Sequence, residues 1–321
     1  MANSQFISDC SANAIQNAAE LLKAGHLVAF PTETVYGLGA DATNEQAIKR
    51  IYDVKGRPTD HPLIVHVSSI NALEVWAKDI PGYAVKLART FWPGPMTLIL
   101  NRTELAKDFI TGGQDSVGIR IPSDPIALEL LSRFESLGGF GVAAPSANRF
   151  GQVSPTSGID VKEEIGQYLE KGDLILNGNR STIGIESTII EARNSFPRIL
   201  RPGAVTEEMI IDTIGVKLSS KMSNLRVSGN LEKHYAPHAR IIINQEPKVG
   251  QAFFALSDIE TPTGVHRIAS PKTIEEFARD LYKGMREADF LEFSVLVIHI
   301  PEGAGLVTAL FDRIVKGANG R

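Results

Sequence analysis

Cysteine is almost missing: Cys10 is the single thiol among 321 residues, so no intrachain disulfide forms and no zinc site built on several thiols can be assembled. Long apolar runs are missing too, since no segment approaches the roughly 18 apolar residues of a membrane span. Residues 1–10 show no basic stretch followed by an apolar one, the pattern of a secretory leader. A cytoplasmic protein without membrane contact is therefore expected. Basic excess is the third absence. Lys and Arg number 33 against 37 Asp and Glu, a net charge of −4, with residues 1–210 at 19 against 24 (−5) and residues 211–321 at 14 against 13 (+1). Neither part has the surplus of a domain that grips nucleic acid through its phosphates. An anionic partner must be held by a few placed cations.

Common motifs are also lacking. No P-loop ends in Gly-Lys-Ser/Thr, Gly37-Leu38-Gly39 lacks the third glycine of a dinucleotide fingerprint, and there is neither a nucleophile elbow nor a zinc-protease helix. His234 and His238 are four apart, but Pro237 between them argues against a helix and hence against a metal pair; no resident metal site is expected.

What is present is ordinary globular composition, 43% hydrophobic and 22% charged, long enough for about two domains. Apolar spacing predicts helices over 13–24, 44–53, 71–91 and 125–134, and strands over 26–30, 62–67, 96–101, 117–121, 174–176, 187–191 and 197–200. Their irregular alternation predicts a mixed α/β sheet. Between 212 and 240 the period fades into Ser219, Ser220, Ser223, Ser228, Gly229 and Asn230, a linker composition. A second small α/β domain is expected over 241–321, with strands at 241–243, 252–256 and 293–300 and helices at 273–288 and 306–315. The expected division is 1–211, 212–240 and 241–321.

Four stretches concentrate polar and cationic residues beside Pro and Gly. Pro31-Thr32-Glu33-Thr34-Val35-Tyr36-Gly37 offers a hydroxyl at Thr34, but by itself reads better as a capped turn opening a helix. Lys55-Gly56-Arg57-Pro58, followed by His61 and His66, can aim two cations at one phosphate group or cap a helix end. Arg120, in Ser116-Val117-Gly118-Ile119-Arg120-Ile121, sits among strand formers and calls for a carboxylate, internal or from a ligand, unless it leaves the sheet at an edge. Ala143-Ala144-Pro145-Ser146-Ala147-Asn148, with Ser154-Pro155-Thr156 beyond it, lets backbone and hydroxyls approach a ligand, or is simply a loop.

Together these stretches resemble the YrdC/Sua5 family of threonylcarbamoyl-AMP synthases in its longer, two-domain form. Lys55-Gly56-Arg57 with Ser146-Ala147-Asn148 is similar to the family's Lys-x-Arg and Ser-x-Asn signature. The segment Pro31-Thr32-Glu33-Thr34-Val35-Tyr36-Gly37-Leu38 resembles its N-terminal motif, and Ser187-Thr188, Arg201-Pro202-Gly203 and His234-Tyr235-Ala236-Pro237 follow in family order. The resemblance implies a twisted, mixed open sheet with a concave cationic cavity and a small Rossmann-like C-terminal domain. It implies a nucleotidyltransferase that joins L-threonine, bicarbonate and ATP, with Mg²⁺, into threonylcarbamoyl-adenylate and pyrophosphate. The product would pass to a separate transferase that makes N6-threonylcarbamoyladenosine in tRNA; whether tRNA is contacted directly stays open.

Carried over position by position, the resemblance implies threonine contacts at Thr34, His66, Arg120, the Ala144 backbone and Ser187. It implies ATP contacts at Arg57, His61, Ser116, Ser146, Ser154, Arg201 and Tyr235, with His61 standing where relatives often carry Asn. Lys55, Arg57, Ser146 and Asn148 form its catalytic signature, and Tyr235 implies that the linker folds over the cavity as a lid. Two rivals stand beside this reading. One is a double-stranded RNA-binding module, against which the −5 balance of residues 1–210 weighs. The other is a carbamoyl-adenylate enzyme of the hydrogenase-maturation type, whose acylphosphatase and zinc-finger segments this chain lacks.

Overall fold

The computed structural model describes residues 6–229 and 234–320; residues 1–5 of the leader, the linker positions 230–233 with Asn230, and Arg321 lie outside the described residues. An 11-stranded mixed sheet organises the first two thirds of the chain. From one edge its strands run Ile7–Ser8, Leu174–Leu176, Val28–Phe30, Gly37–Asp41, Val142–Ala143, Ile64–His66, Ser116–Arg120, Met96–Arg102, Thr188–Glu191 and Arg198–Arg201, with Ala77–Lys78 paired to Met96–Arg102. Ile64–His66 and Ser116–Arg120 are parallel, in a register that sets His66 opposite Arg120. Gly37 pairs antiparallel with Ser146. These pairings bring segments far apart in sequence to the middle of one sheet.

Helices cover both faces, and their starts are legible in the chemistry of their caps. Ser11 caps Ala12–Lys23, Asn44 caps Glu45–Lys55, and Asp124 caps Pro125–Ser136 with proline at the first helical turn. Ala12–Lys23 and Pro125–Ser136 pack together over one face, around Leu22, Phe30, Leu131 and Phe134. The opposite face holds the larger core, with Ile48, Trp76, Leu87, Leu98 and Ile119 fully buried.

The single helix expected over 71–91 is broken. A short turn and the helix Leu73–Trp76 give way to the strand Ala77–Lys78, and Gly82–Phe91 starts afresh after Pro81. Asp79 between them adopts φ of 52°, which a helix does not tolerate, so the apolar spacing ran across an interruption it did not reveal. Gly37–Asp41 is a strand where a functional turn was expected through position 39; its small residues carry little strand signal. The helices Asp108–Thr111, Gly158–Ile165 and Glu207–Ile214 were not expected. Glu207–Ile214 runs past position 211 into the expected linker, because Ile210 and Ile214 keep an apolar face on the large core.

A second sheet is formed by Arg240–Ile243, Val295–Ile298, Ala252–Phe254 and His266–Ala269, all parallel, with His266–Ala269 absent from the sequence expectation. Ile274–Phe290 and Leu306–Ala318 pack on it through Phe277, Leu281, Leu310 and Ile314. That core continues into the first sheet's territory: Val35, Val153 and Ile185 belong to it, as does Tyr235 from the linker. The two sheets thus share an apolar seam beside the turn that carries Thr34.

Candidate active site

The turn after Val28–Phe30 is built by one hydroxyl. Thr32 Oγ1 donates to the Val35 carbonyl at 2.6 Å, accepts from the Thr34 and Val35 amides at 3.2 Å each, and lies 2.8 Å from Thr34 Oγ1. This local bonding turns the chain after Pro31 and aims Thr34 into a hollow. The hollow holds about 480 Å³ of space between atoms, its open mouth included.

Eight of the expected residues line it: Thr34, His66, Arg120, Ala144, Ser146, Ser187, Arg201 and Tyr235. They come from the ends of the central strands Ile64–His66, Ser116–Arg120 and Val142–Ala143, from the edge pair Thr188–Glu191 and Arg198–Arg201, from the turn after Val28–Phe30 and from the linker. Two are arginines, and each is placed by a carbonyl or a carboxylate. Arg201 donates from Nε and Nη2 to the Ser187 carbonyl at 3.1 and 2.9 Å, and from Nη1 to the Ser228 carbonyl at 3.0 Å. Arg120 lies against Glu33 in a buried ion pair, so the internal carboxylate that its strand position called for exists.

The remaining six stand behind or beside the hollow. Gly56 ends the helix Glu45–Lys55 in the left-handed conformation, φ of 59°, where an added Cβ would sit 2.6 Å from Arg149 Nη2. That turn points Lys55 and Arg57 to different targets. Lys55 Nζ, wholly buried, donates to the carbonyls of Ser146 and Asn148, so it holds the Ser146 loop. Arg57 donates from Nη2 to the Pro62 carbonyl at 3.0 Å, with its guanidinium 5.8 Å from the Phe150 ring centre. The expectation that both cations meet at one phosphate group thus differs from their present arrangement. Asn148 spends its amide on the Arg149 and Gln152 carbonyls, at 2.7 and 2.8 Å. Ser154 Oγ donates to Glu186 Oε1 at 2.6 Å, beneath the hollow. Ser116 lines a neighbouring hollow with Gln114 and Arg226, and Ile64 and Ser228 border both. His61 packs edge-on against Phe150, ring centres 5.3 Å apart.

Burial sets the protonation states. Desolvation, with Arg120 adding to it, pushes His66 down to about 3, so its ring is neutral near pH 7. His234 is likewise driven down to about 3, mainly by burial. Burial also lowers Arg57, to about 10, which leaves it charged, and moves Lys55 well below the usual lysine range. Burial raises the Tyr235 phenol to about 12.

The linker lies over this ground and is tied down. Arg226 Nη2 donates to the Gly112 carbonyl at 2.7 Å, its amide donates to Gln114 Oε1 at 2.8 Å, and Lys316 Nζ donates to the Gly229 carbonyl at 2.8 Å. Beyond the undescribed positions, Ala236 N donates to the Gly151 carbonyl at 3.0 Å, and Pro237 does keep His234 and His238 off a common helix. Tyr235 is 1% exposed, in the left-handed region at φ of 61°.

Residues that the sequence reasoning missed are Glu33, Glu186, Ser228 and His234, all at the hollow or against it. Glu186 left no separable signal, being a single acid before the strand Thr188–Glu191. Among the described residues no group of three or more His, Cys, Asp or Glu is placed to hold a metal ion. The nearest carboxylates are Glu33, ion-paired with Arg120, and Glu186, which accepts from three donors.

Comparison with known proteins places this geometry. Residues 20–203 match the Sua5/YciO/YrdC family model, described as "Telomere recombination", and residues 205–319 match the model described as "Threonylcarbamoyl-AMP synthase, C-terminal domain". A relative from Pyrococcus abyssi called threonylcarbamoyl-AMP synthase is 38% identical, covering 96% of this chain and 94% of its own. One of the same name from Bacillus subtilis is 35% identical over 96% of this chain and 93% of its own. The crystal structure of Pyrococcus abyssi Sua5 complexed with L-threonine superposes with a TM-score of 0.87 at 37% identity, covering 98% of this chain and 97% of that one. With both family models matched in order and the whole fold superposing, the chain belongs to the Sua5/YrdC family.

Proposed function

We propose that this chain is a nucleotidyltransferase that makes threonylcarbamoyl-AMP and pyrophosphate from L-threonine, bicarbonate or CO₂, and ATP. The observation that carries the reading is the convergence of Arg120, Arg201, Thr34, Ser146 and Ser187 on one small hollow, in a family whose relatives bear this name. Two anionic reactants need preorganised cations and hydroxyls more than they need a protein nucleophile. The threonine nitrogen attacks the carbon of CO₂ and loses a proton, giving a carbamate. A carbamate oxygen attacks the α-phosphorus, the bond to the β-phosphate oxygen breaks, and pyrophosphate leaves.

The threonine side comprises Thr34, His66, Arg120, the Ala144 backbone and Ser187. Arg120 takes the α-carboxylate, and neutral His66 offers a hydrogen bond without adding charge. The ATP side comprises Arg57, His61, Ser116, Ser146, Ser154, Arg201 and Tyr235. Ser146, Arg201 and Tyr235 line the hollow, Ser116 lines its neighbour, and Arg57 and His61 stand beside Pro62 and Phe150, so the triphosphate occupies the hollow and its neighbour together once the linker lifts. The hollow is then a cationic cavity closed by a lid, which retains a labile adenylate away from water. Lys55 and Asn148 act through the loop they hold. Mg²⁺ belongs to this reading as the counter-ion that arrives on ATP and supplies charge neutralisation there.

In this division residues 1–211 carry catalysis, 212–240 the lid, and 241–321 the support behind it. The product serves a separate tRNA threonylcarbamoyl transferase, in the cytoplasm. Among the described residues no helix is long and apolar enough to cross a membrane. Pyrophosphate release measured with threonine and bicarbonate each present or withheld tests the reading: release should require both, and release independent of threonine contradicts it.

A further inference from the structure

Glu186 borders the hollow, immediately before Ser187, and is buried there at 6% exposure. A buried negative charge at that place opposes a bound triphosphate unless a cation answers it. The cation comes from the far end of the chain. Arg313, on the helix Leu306–Ala318, has no exposed surface and donates from Nε to Glu186 Oε2 at 2.8 Å. The Tyr282 hydroxyl, from Ile274–Phe290, donates to the same oxygen at 2.9 Å, while Ser154 holds Oε1.

Arg313 is itself fully engaged. Its Nη2 donates to the Pro202 carbonyl at 3.0 Å, its Nη1 bonds Asp312, and its guanidinium lies 5.3 Å from the ring centre of Tyr235. Tyr235 in turn stacks on Tyr282, with ring centres 5.7 Å apart. Burial alone would raise the Glu186 carboxyl, but Arg313 and then Arg201 outweigh it and hold the group at about 2. Docking two domains does not call for such a cluster, because a buried ion pair is often no more stabilising than an apolar contact of the same volume. What the cluster does reach is Ser154 and Tyr235, two groups read above as touching ATP.

We propose that Arg313, with Tyr282, is a positioning residue for the nucleotide half of the site: by neutralising Glu186 and fixing Ser154 and Tyr235, the C-terminal domain completes the ATP pocket from behind. The proposal rests on the synthase reading, and steady-state kinetics of the full chain with ATP and threonine varied in turn tests it. Arg313→Met should raise the KM for ATP about tenfold or more, with the KM for threonine within about twofold of the parent chain. Adding Glu186→Gln to that variant removes the stranded charge and should bring the ATP KM back to within about threefold of the parent.

A merely structural role would lower the melting temperature and the active fraction, and would not separate the two KM values. Tyr282→Phe keeps the ring and deletes one donor; it should raise the ATP KM about threefold, and it carries the test if Arg313→Met does not fold. Equal shifts in both KM values, an unchanged ATP KM in Tyr282→Phe, or no recovery in the double variant overturns the proposal. A parent chain that releases no threonine-dependent pyrophosphate overturns the synthase reading itself, a failure distinct from these.

Discussion

Arg120 Nη2 lies 2.8 Å from Glu33 Oε1, yet the contact is off the hydrogen-bonding direction, and Arg120 Nε and Nη2 have no hydrogen-bond partner within the described protein. Glu33 is in the same condition at both oxygens. An arginine held by charge with its donors unspent is ready for a second carboxylate. Arg120→Ala should therefore raise the threonine KM about tenfold or more, with the ATP KM changed by no more than about threefold, in two-substrate pyrophosphate-release kinetics. Equal increases would remove Arg120 from the threonine side.

Lys55 and Arg57 should fail in different ways. Either one changed to Ala is expected to cut adenylate formation about a hundredfold. Lys55→Ala also strands two carbonyls in the interior, so it should lower unfolding stability by about 2–5 kcal/mol, whereas Arg57→Ala should lower it far less. Denaturant unfolding of both variants separates the cases; equal stability losses would contradict the positions described for the two cations.

Acid should weaken the fold before the carboxylates titrate. His66 and His234 sit at about 3 in the folded chain against 6.5 unfolded, so the unfolded chain binds more protons between these values. Their contribution is complete above 6.5 and is lost as pH falls toward 3, with a slope of about 1.4 kcal/mol per pH unit for each histidine. Replacing His66 with Asn should remove about one proton from the slope of unfolding free energy between about pH 6 and 4.5. An unchanged slope would mean that His66 is not held neutral.

The segment before the linker's undescribed positions turns on Gly229, in the left-handed region at φ of 79°, where an added Cβ would lie 2.2 Å from the Tyr235 hydroxyl. Gly229→Ala meets both the conformational penalty and that clash, about 1–2 kcal/mol for the backbone alone. Amide exchange over residues 223–229 should speed about tenfold or more, and free adenylate should be hydrolysed faster in solution. Unchanged exchange would make the linker's rest position independent of this contact.

Much of the fold was legible because it rests on continuous apolar runs and on caps. Met96–Arg102 and Leu174–Leu176 read directly as strands, and Asn44 and Asp124 announce their helices. The broken helix around Asp79 was not legible, since Ala77 and Ile80 continue the apolar spacing across a left-handed residue. At the site, hydroxyls and cations in small-residue stretches were visible as Thr34, Arg120 and Ser146. Glu186 and Arg313 were not, because each is one charge in an apolar setting and their bond joins positions 127 residues apart. Arg313 lies seven residues after Leu306, on the stripe that carries Leu310 and Ile314, so the pattern alone predicts an apolar residue there.

The most direct test is mass spectrometry of a reaction holding ATP, L-threonine, bicarbonate and Mg²⁺, with each withheld in turn. Threonylcarbamoyl-AMP should appear together with an equal amount of pyrophosphate only in the complete mixture. Conversion of ATP to ADP and phosphate, or an adenylate that lacks threonine, would contradict the assignment.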